Sequence, residues 1–204
     1  DEVVRSGGIG RVIKSKNLEY KEGELVFGLV GWQTHCVTKA TADERFRVIP
    51  EILPIPTMLN VLGSTGITAY YGLVELGNPK AGETVLVSGA AGATGSVVVQ
   101  IAKLKGCNVI GIAGGEEKCK WLKEIGADDV IDYKNSNVNA ELLKLAKKGI
   151  DIYFDNVGGE ILESVLNLIN INARILLCGG ISSGYDGTTI TDGPKNLLSL
   201  IIKR

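Results

Sequence analysis

The stretch Ser-Gly-Ala-Ala-Gly-Ala-Thr-Gly at residues 88–95 decides the fold. It follows the β-branched run TVLVS at 84–88 and leads into an amphipathic run at 95–105, so we predict that it connects a buried strand to a helix. The diphosphate of a dinucleotide needs exposed N–H groups at a helix N-terminus and residues without bulk beside them. The small residues of this loop meet both needs, and the predicted phosphate contacts are Ala91, Gly92, Ala93, Thr94 and Gly95.

The loop departs at one position from the G-x-G-x-x-G pattern of dinucleotide sites. Gly92 and Gly95 supply the second and third glycines, whereas Ala90 stands at the first, with Gly89 beside it. A glycine-rich loop alone is a weak signal, so an ordinary tight turn between a strand and a helix stays open as the alternative interpretation.

From about Thr84 onward, short β-branched runs alternate with amphipathic stretches. This rhythm predicts repeated βα units, whose right-handed crossovers build a parallel sheet. The predicted strands cover 84–88, 108–113, 130–132, 151–155 and 174–178, and the predicted helices cover 95–105, 116–125, 140–148 and 160–169. The predicted fold class is therefore α/β, with a doubly wound parallel sheet of the Rossmann type.

The amino-terminal quarter has a different texture, in which glycines punctuate short Val- and Ile-rich segments at 10–14 and 24–30. We predict a small β-rich module at 1–55, joined through a stiff Pro-Ile-Pro stretch at 54–56 to the dinucleotide domain at 56–204. The first residues begin in mid-pattern and the last ones stop inside an apolar helical run. We therefore expect that both ends are cut from a longer protein.

Charge and composition favour a small-molecule ligand over a polymer or a membrane. Lys and Arg number 22 against 23 Asp and Glu, which gives a net charge of −1, and no cluster of basic residues stands out. Such a balance does not attract nucleic acid or anionic lipid. Since no apolar run reaches the ~20 residues of a membrane span and no signal sequence is recognisable, we expect a cytoplasmic protein.

The cysteines give no sign of a metal site. Four of them lie far apart without a C-x-x-C pair, and His35 is the single histidine. Zinc sites draw on closely spaced Cys and His ligands, so we expect no metal. Cys107 and Cys178 fall in or beside predicted strands, where we expect inert thiols packed in the core.

The tip of the second predicted strand indicates which nucleotide binds. An NAD site carries Asp or Glu there for the ribose hydroxyls, but this sequence reads IAGG at 112–115. Lys118, one turn into the next helix, and the backbone amides of the turn, including that of Gly115, are suited to a 2'-phosphate. NADP is therefore favoured over NAD. The alternative is that Glu116 or Glu117 binds ribose, although acids at a helix start also complement its dipole.

With these motifs in view, the chain resembles the medium-chain dehydrogenase/reductase superfamily. Within it the chain is similar to the zinc-free branch of prostaglandin reductases, alkenal double-bond reductases and curcumin-reductase-like enzymes. The matching motifs are collinear along most of the chain: VGW at 30–32, GITAY at 66–70, GETV at 82–85, AAGATG at 90–95, QIAK at 100–103, DNVGG at 155–159 and CGGIS at 178–182. The resemblance implies that residues 1–55 are a remnant of a GroES-like substrate domain, and that the C-terminal part of the Rossmann domain is missing.

The resemblance also implies roles for particular residues around the cofactor. They are the 2'-phosphate contacts Lys118 and Tyr133, Asn156 and the glycine turn at 158–159 near the ribose, Thr68 lining the cleft, and Cys178, Gly179 and Ile181 in the loop beside nicotinamide.

Several of these positions keep an alternative interpretation. Tyr133 is also typical of an aromatic residue that caps the end of a sheet, and Asn156 of a turn before a glycine. The glycines at 158–159 would serve equally to start a helix, and Thr68 to pack against a neighbouring helix.

The activity implied by the resemblance is NADPH-dependent reduction of the C=C bond in α,β-unsaturated ketones and aldehydes. Hydride would pass to the β-carbon, and the enolate would be protonated afterwards. Tyr185 matches a family tyrosine near the enolate oxygen, the alternative being an exposed loop aromatic. An NADPH quinone oxidoreductase and a non-catalytic NADPH-binding module remain as rival functions. A homodimer is expected for the full-length protein.

Overall fold

The computed structural model describes residues 3–41, 44, 46–52, 54–183 and 193–203. The chain forms two compact units, Asp1–Ser64 and Thr65–Arg204. Each unit contains its own sheet, and the two sheets differ in strand direction.

The first unit is built on a small antiparallel sheet with the order β1 (Gly8–Arg11), β2 (Leu25–Gly28) and β3 (Arg47–Val48). Among its described residues, the buried apolar side chains are Leu25 and Val26 of β2 together with Ile49. The guanidinium of Arg47 lies 4.7 Å from the centre of the Phe27 ring, on the neighbouring strand. A short 3₁₀ helix at Ile55–Leu59 follows the sheet.

A continuous helical segment precedes the second sheet. It begins as α1 (Ser64–Tyr70) and widens into a π-helical turn at Tyr71–Leu76, which ends where the amide of Gly77 donates to the carbonyl of Gly72 at 2.9 Å. Gly72 cannot carry a side chain here, because a β-carbon would lie 2.8 Å from the ring of Phe154. The helix therefore lies directly against the sheet at this point.

The second unit contains a five-stranded parallel sheet in the order β6-β5-β4-β7-β8. The strands are β4 (Thr84–Val87), β5 (Asn108–Ala113), β6 (Asp129–Asp132), β7 (Ile150–Asp155) and β8 (Ile169–Leu177). The helices are α2 (Ala93–Leu104), α3 (Glu116–Glu124), α4 (Val138–Leu145), α5 (Gly159–Leu166) and α6 (Leu198–Ile202). Counted from β4 the strand order is 3-2-1-4-5, so the predicted doubly wound α/β fold is confirmed.

Alternation along the central strands divides the core between the two faces of this sheet. In β4, Val85 and Val87 join a buried cluster with Val98 of α2, whereas Leu86 points the other way and joins a cluster with Leu142 of α4. Successive residues of a strand point to opposite faces, so a run that is apolar throughout needs cover on both. The helices supply it, and the residues of β4 are all buried.

The last predicted helix and strand differ from what the structure shows. The helix predicted to reach residue 169 ends at Leu166, and β8 already begins at Ile169, ahead of the predicted start at 174. Ile169 is buried and pairs with Ile150 of β7. Pairing with β7 therefore places residues 169–173 in a strand, and the amphipathic pattern of the sequence does not predict this pairing.

An ion pair at the amino-terminal edge of the sheet joins β8 to the residue that precedes β4. Arg174 of β8 donates to both carboxylate oxygens of Glu83, at 3.0 and 2.6 Å, and its Nε donates to the carbonyl of Gly77 at 2.9 Å. Both side chains are partly buried. The pair thus fixes the end of the π-helical turn and the entry to β4 against β8.

Among the described ranges, no helix combines the length and apolarity that crossing a bilayer requires.

Candidate dinucleotide site

A cavity of about 560 Å³ opens at the carboxyl ends of the parallel strands. The strand order reverses beside β4, and this edge of a doubly wound sheet is where such folds bind ligands. Most of the predicted site residues line it: Ala91, Gly92, Ala93, Thr94, Gly95, Lys118, Tyr133, Asn156 and Ile181. Ser182, in the loop expected beside nicotinamide, lines it too, and the sequence does not predict further lining residues that include Gly89, Ala113, Val157 and Ile161. These four lie in turns, at the end of a strand or on a helix start, and their apolar or small side chains carry no chemical signature.

The loop at 88–95 presents the start of α2 to this cavity. Gly92 is the N-cap residue and no side chain caps the helix, so the first helical bond is the one from Ser96 N to Gly92 O at 2.9 Å. Within the described part of the chain, the amides of Ala93, Thr94 and Gly95 have no hydrogen-bond acceptor. This geometry gives three free N–H groups at the positive end of a helix.

The glycines of the loop serve its packing as much as its ligand. A β-carbon on Gly95 would lie 2.4 Å from the Gly89 carbonyl oxygen, so the bare backbone is needed for the helix to approach the loop. Ala90 is fully buried, and its amide donates to Ile112 O of β5 at 2.9 Å. Its methyl group therefore points into the core, which explains why alanine is accepted where the motif usually has glycine.

The β5–β6 side of the cavity is formed by Gly114, Lys118 and Tyr133. The Tyr133 side chain is half exposed, and its amide donates to Ala113 O at 3.1 Å. Lys118 is exposed and has no ion-pair partner in the part of the chain that the structure describes. Glu116 and Glu117, the alternative ribose ligands, are exposed in the first turn of α3 and do not line the cavity.

The prediction for the Gly115 amide needs correction. That amide donates to Asp132 Oδ1 at 2.9 Å, and the same carboxylate accepts from Lys134 N at 3.0 Å and from Asn135 Nδ2 at 2.7 Å. The hydrogen bond from Gly115, followed by that from Asn135, lowers the pKa of Asp132. Gly115 does not line the cavity, so its N–H group stabilises the turn and is not free for a phosphate.

The β7–β8 side is formed by the turn that follows β7. Asn156 lines the cavity, and its side-chain Nδ2 donates to Ser88 O at 2.7 Å, which joins this turn to the phosphate loop. Ser182 N donates to Val157 O at 3.0 Å. Gly158 is the N-cap of α5, and Gly158 and Gly159 have φ values of +73° and +56°. The glycine turn at 158–159 thus starts a helix, which is the alternative interpretation given for these two glycines.

Two other predicted residues line a different cavity, of about 530 Å³. Thr68 and Cys178 share it with residues that are almost all apolar: Ile67, Tyr71, Gly72, Leu76, Phe154, Ile175, Leu176 and Leu177. Gly179 lines neither cavity, and its amide donates to Asp155 O at 3.0 Å. Tyr185 lies outside the described residues.

The cysteines separate into different environments. Cys107 is buried, and burial, followed by the charge of Glu83, raises the pKa of its thiol. Cys178 is exposed at the end of β8, so the prediction of a thiol packed in the core is wrong for this residue. No group of three or more His, Cys, Asp or Glu side chains within the described ranges is arranged to hold a metal ion.

The family assignment follows from sequence patterns that match both parts of the chain. The pattern described as zinc-binding dehydrogenase matches residues 93–203, which include the end of the phosphate loop, all of α2 and every strand after β4. A second pattern, the N-terminal domain of oxidoreductase, matches residues 1–46. The chain belongs to the zinc-binding dehydrogenase family. The resemblance to medium-chain dehydrogenases/reductases, and within them to the zinc-free branch, is thereby confirmed by relatives of that branch.

Individual members of the family are similar over nearly the whole chain. The NADPH-dependent curcumin reductase of Escherichia coli is 41% identical over 96% of this chain and 56% of its own length. Prostaglandin reductase 1 of Bos taurus is 43% identical over 92% of this chain and 57% of its own. The crystal structure of CurA from Vibrio vulnificus in complex with NADPH superposes with a TM-score of 0.87 at 42% identity, covering 100% of this chain and 61% of CurA. The chain thus spans less than two thirds of the length of these relatives.

Proposed function

We propose that this chain binds NADPH, and that the whole protein uses it to reduce the C=C bond of α,β-unsaturated ketones and aldehydes. The observation that carries the proposal is the start of α2. Three amides there have no acceptor in the described structure and line a cavity whose β5–β6 side holds an unpaired lysine. Relatives named as curcumin and prostaglandin reductases support the choice of reaction.

The diphosphate would bind at the amides of Ala93, Thr94 and Gly95. Free N–H groups at a helix N-terminus and the helix dipole both favour an anion there. The residues of this turn are small, so the backbone can approach the phosphate oxygens without obstruction.

The 2'-phosphate would bind at Lys118 and Tyr133. The ammonium group supplies an opposite charge, and the phenol hydroxyl supplies a further donor. Asp132 lies at the end of β6, where its carboxylate stabilises the turn through the Gly115 amide. A free carboxylate at the tip of β5, which would favour the ribose of NAD, is absent from the described turn, since the residues there are Gly114 and Gly115.

The other half of the dinucleotide would extend toward β7 and β8, over Asn156, Val157 and Ser182. When bound, NADPH would supply the hydride for the β-carbon of the acceptor, and a proton from solvent would complete the reduction at the α-carbon. The residues of this chain orient the cofactor for that transfer. A donor to the enolate oxygen would come from Tyr185, which is a proposal from resemblance alone.

The cofactor proposal is tested by titrating the 204-residue chain with NADPH and with NADH, following the fluorescence of the reduced nicotinamide. We expect NADPH to bind more tightly by about tenfold or more, as a hydrogen-bonded ion pair to one phosphate predicts. Displacement of NADPH by 2',5'-ADP is the control for a specific site. Equal affinities, or no saturable binding, would contradict the proposal.

The reaction is tested with the full-length protein, by following NADPH oxidation with an enone, with a quinone and without an acceptor. We expect oxidation with the enone, and a product heavier by two hydrogen atoms at the C=C bond. Oxidation with the quinone alone would favour the quinone oxidoreductase, and tight NADPH binding without oxidation by any acceptor would favour the non-catalytic module.

A homodimer and a cytoplasmic location complete the proposal for the full-length protein. The four cysteines are all unpaired, which suits a reducing compartment. The homodimer is proposed from the resemblance to medium-chain dehydrogenases/reductases. Sedimentation analysis and cell fractionation of the full-length protein test these two points.

A further inference from the structure

Asp155, the last residue of β7, is only 1% exposed and accepts an unusual number of hydrogen bonds. Its Oδ1 accepts from Ser88 Oγ at 2.9 Å and from Tyr153 Oη at 2.7 Å. The same oxygen accepts from the amides of Val157 and Gly158, each at 2.9 Å. One carboxylate oxygen thus joins the end of β4 to the turn after β7.

The backbone of Asp155 extends this network to a third segment. Its carbonyl oxygen accepts from Cys178 N at 2.8 Å and from Gly179 N at 3.0 Å, directly after β8. Ser88 Oγ, which donates to the carboxylate, also accepts from Asn156 N at 2.9 Å. The phosphate loop, the β7–α5 turn and the exit of β8 therefore all meet at this one residue.

Of these three segments, the β7–α5 turn lines one half of the cavity already described, together with residues that follow the exit of β8. The residues of that half are Asn156, Val157, Ile181 and Ser182, whereas the other half is formed by Lys118 and Tyr133 beside β5 and β6. Asp155 itself does not line the cavity. Any effect of its carboxylate on a ligand therefore passes through the groups that it holds.

The carboxylate of Asp155 is stabilised by hydrogen bonds to Oδ1. The carboxylate has no Lys, Arg or His partner within the described ranges, and its Oδ2 is buried without a hydrogen-bond partner there. A buried carboxylate without a cationic partner costs folding free energy unless hydrogen bonds compensate it, and here four donors converge on Oδ1.

The other end of β7 supplies a comparison. Asp151 also joins the neighbouring strands, since its Oδ2 accepts from Thr84 N at 2.8 Å and its Oδ1 from Asn170 Nδ2 at 2.7 Å. It lies at the amino-terminal edge of the sheet and lines neither cavity. Asp151 therefore joins neighbouring strands as Asp155 does but lies away from the cavity, so it serves as the matched control.

We propose that Asp155 is a positioning residue for the nicotinamide half of the bound dinucleotide. It acts through the amides of Val157 and Gly158 and the hydroxyl of Ser88, and it does not contact the cofactor. The inference rests on the proposed NADPH site. It goes further in assigning the two halves of the cavity to separate supports: Asp155 supports the β7–β8 half, and it reaches the phosphate loop only at Ser88, which does not line the cavity.

The test compares two ligands in the variants Asp155→Asn and Asp151→Asn of the 204-residue chain. NADPH occupies both halves of the cavity, whereas 2',5'-ADP carries only the adenosine half. In Asp155→Asn we expect NADPH to bind about tenfold more weakly, because a charged acceptor for several donors is lost, and 2',5'-ADP to bind within about twofold of wild type. In Asp151→Asn both affinities should stay within about twofold of wild type.

Unchanged NADPH affinity in Asp155→Asn, or an equal loss for both ligands, would overturn the inference. If Asp155→Asn does not give a cooperative thermal unfolding transition, Tyr153→Phe removes one donor and keeps the carboxylate. A smaller loss, confined to NADPH, is then expected, and no loss or an equal loss for both ligands would count against the inference. Failure of both ligands to bind the wild-type chain would instead refute the proposed NADPH site.

Discussion

The ring of Tyr133 occupies the space that a side chain at Gly114 would need. A β-carbon built on Gly114 would lie 2.7 Å from two ring atoms and 2.8 Å from the hydroxyl oxygen of Tyr133. The glycine at the tip of β5 and the tyrosine after β6 are thus a matched pair. The Tyr133 ring therefore leaves no room at this position for the Asp or Glu of an NAD site.

We expect Gly114→Ala to weaken NADPH binding about tenfold while changing the free energy of unfolding by less than about 1 kcal/mol. The half-exposed ring can move away from the new methyl group without loss of core packing, but it then leaves its place at the 2'-phosphate. Titration with NADPH and urea unfolding of the same variant measure the two effects. An unchanged affinity would mean that the ring position is irrelevant to the cofactor.

Lys118→Ala should reduce the affinity for NADPH by about tenfold to a hundredfold and leave NADH unaffected, because a charge-assisted contact to phosphate is lost. The matched control is Lys120→Ala, which removes an exposed lysine of the same helix that does not line the cavity. Fluorescence titration of both variants at fixed ionic strength gives the comparison. Preference for NADPH that survives in Lys118→Ala would show that another group reads the 2'-phosphate.

Gly95→Ala should abolish NADPH binding and lower the free energy of unfolding by about 2–4 kcal/mol, as overpacking against a backbone atom does. The new β-carbon would meet the Gly89 carbonyl oxygen at 2.4 Å, so either the loop or α2 must move. In Gly92→Ala the same oxygen would be 3.1 Å away, and we expect a smaller loss of stability. Chemical denaturation ranks the two variants, and the reverse order would contradict the packing role given to Gly95.

The Glu83–Arg174 pair should make stability depend on pH in the acid range. Burial raises the pKa of Glu83, but the hydrogen bonds from Arg174 and from the Lys80 amide outweigh it and hold the pKa below the ordinary value of 4.5. A carboxyl whose folded pKa is lowered stabilises the fold above its unfolded pKa, and the stabilisation disappears as the pH falls through the folded pKa.

Glu83→Gln should therefore be less stable than wild type by about 1–2 kcal/mol at pH 7, with a difference that shrinks as the pH falls below 4.5. The exposed pair Lys144–Glu141 is the control, since Glu141→Gln should change stability by less than about 0.5 kcal/mol at either pH. Urea unfolding across the acid range provides the measurement. A difference that persists unchanged into acid would exclude the charge of Glu83 as its cause.

The sheet and its phosphate loop could be predicted from the sequence because their signals are local. Strand β4 is an apolar run followed at once by small residues, and both the strand and the loop appear where that pattern places them. The position of Lys118 one turn into α3 is likewise fixed by counting along the helix.

The rest of the site depends on contacts between distant residues. The Gly115 amide is not free because it donates to Asp132, 17 residues later. The hydrogen bonds to the Asp155 carboxylate include one from Ser88, 67 residues earlier. Neither hydrophobic periodicity nor a short motif predicts hydrogen bonds between residues so far apart in the sequence. The separation of Thr68 and Cys178 from the main cavity has the same origin, since it follows from how the π-helical turn lies against β7 and β8.

The π-helical turn at Tyr71–Leu76 also bears on how this chain tolerates changes in length. A π turn accommodates one residue more than an α turn, so removing a single residue there would restore ordinary helical winding locally. The α-helical part before it, Ser64–Tyr70, would keep its phase. The same deletion inside α2 would rotate every later side chain by about 100° around the helix axis and carry Val98 and Ala102 out of the core.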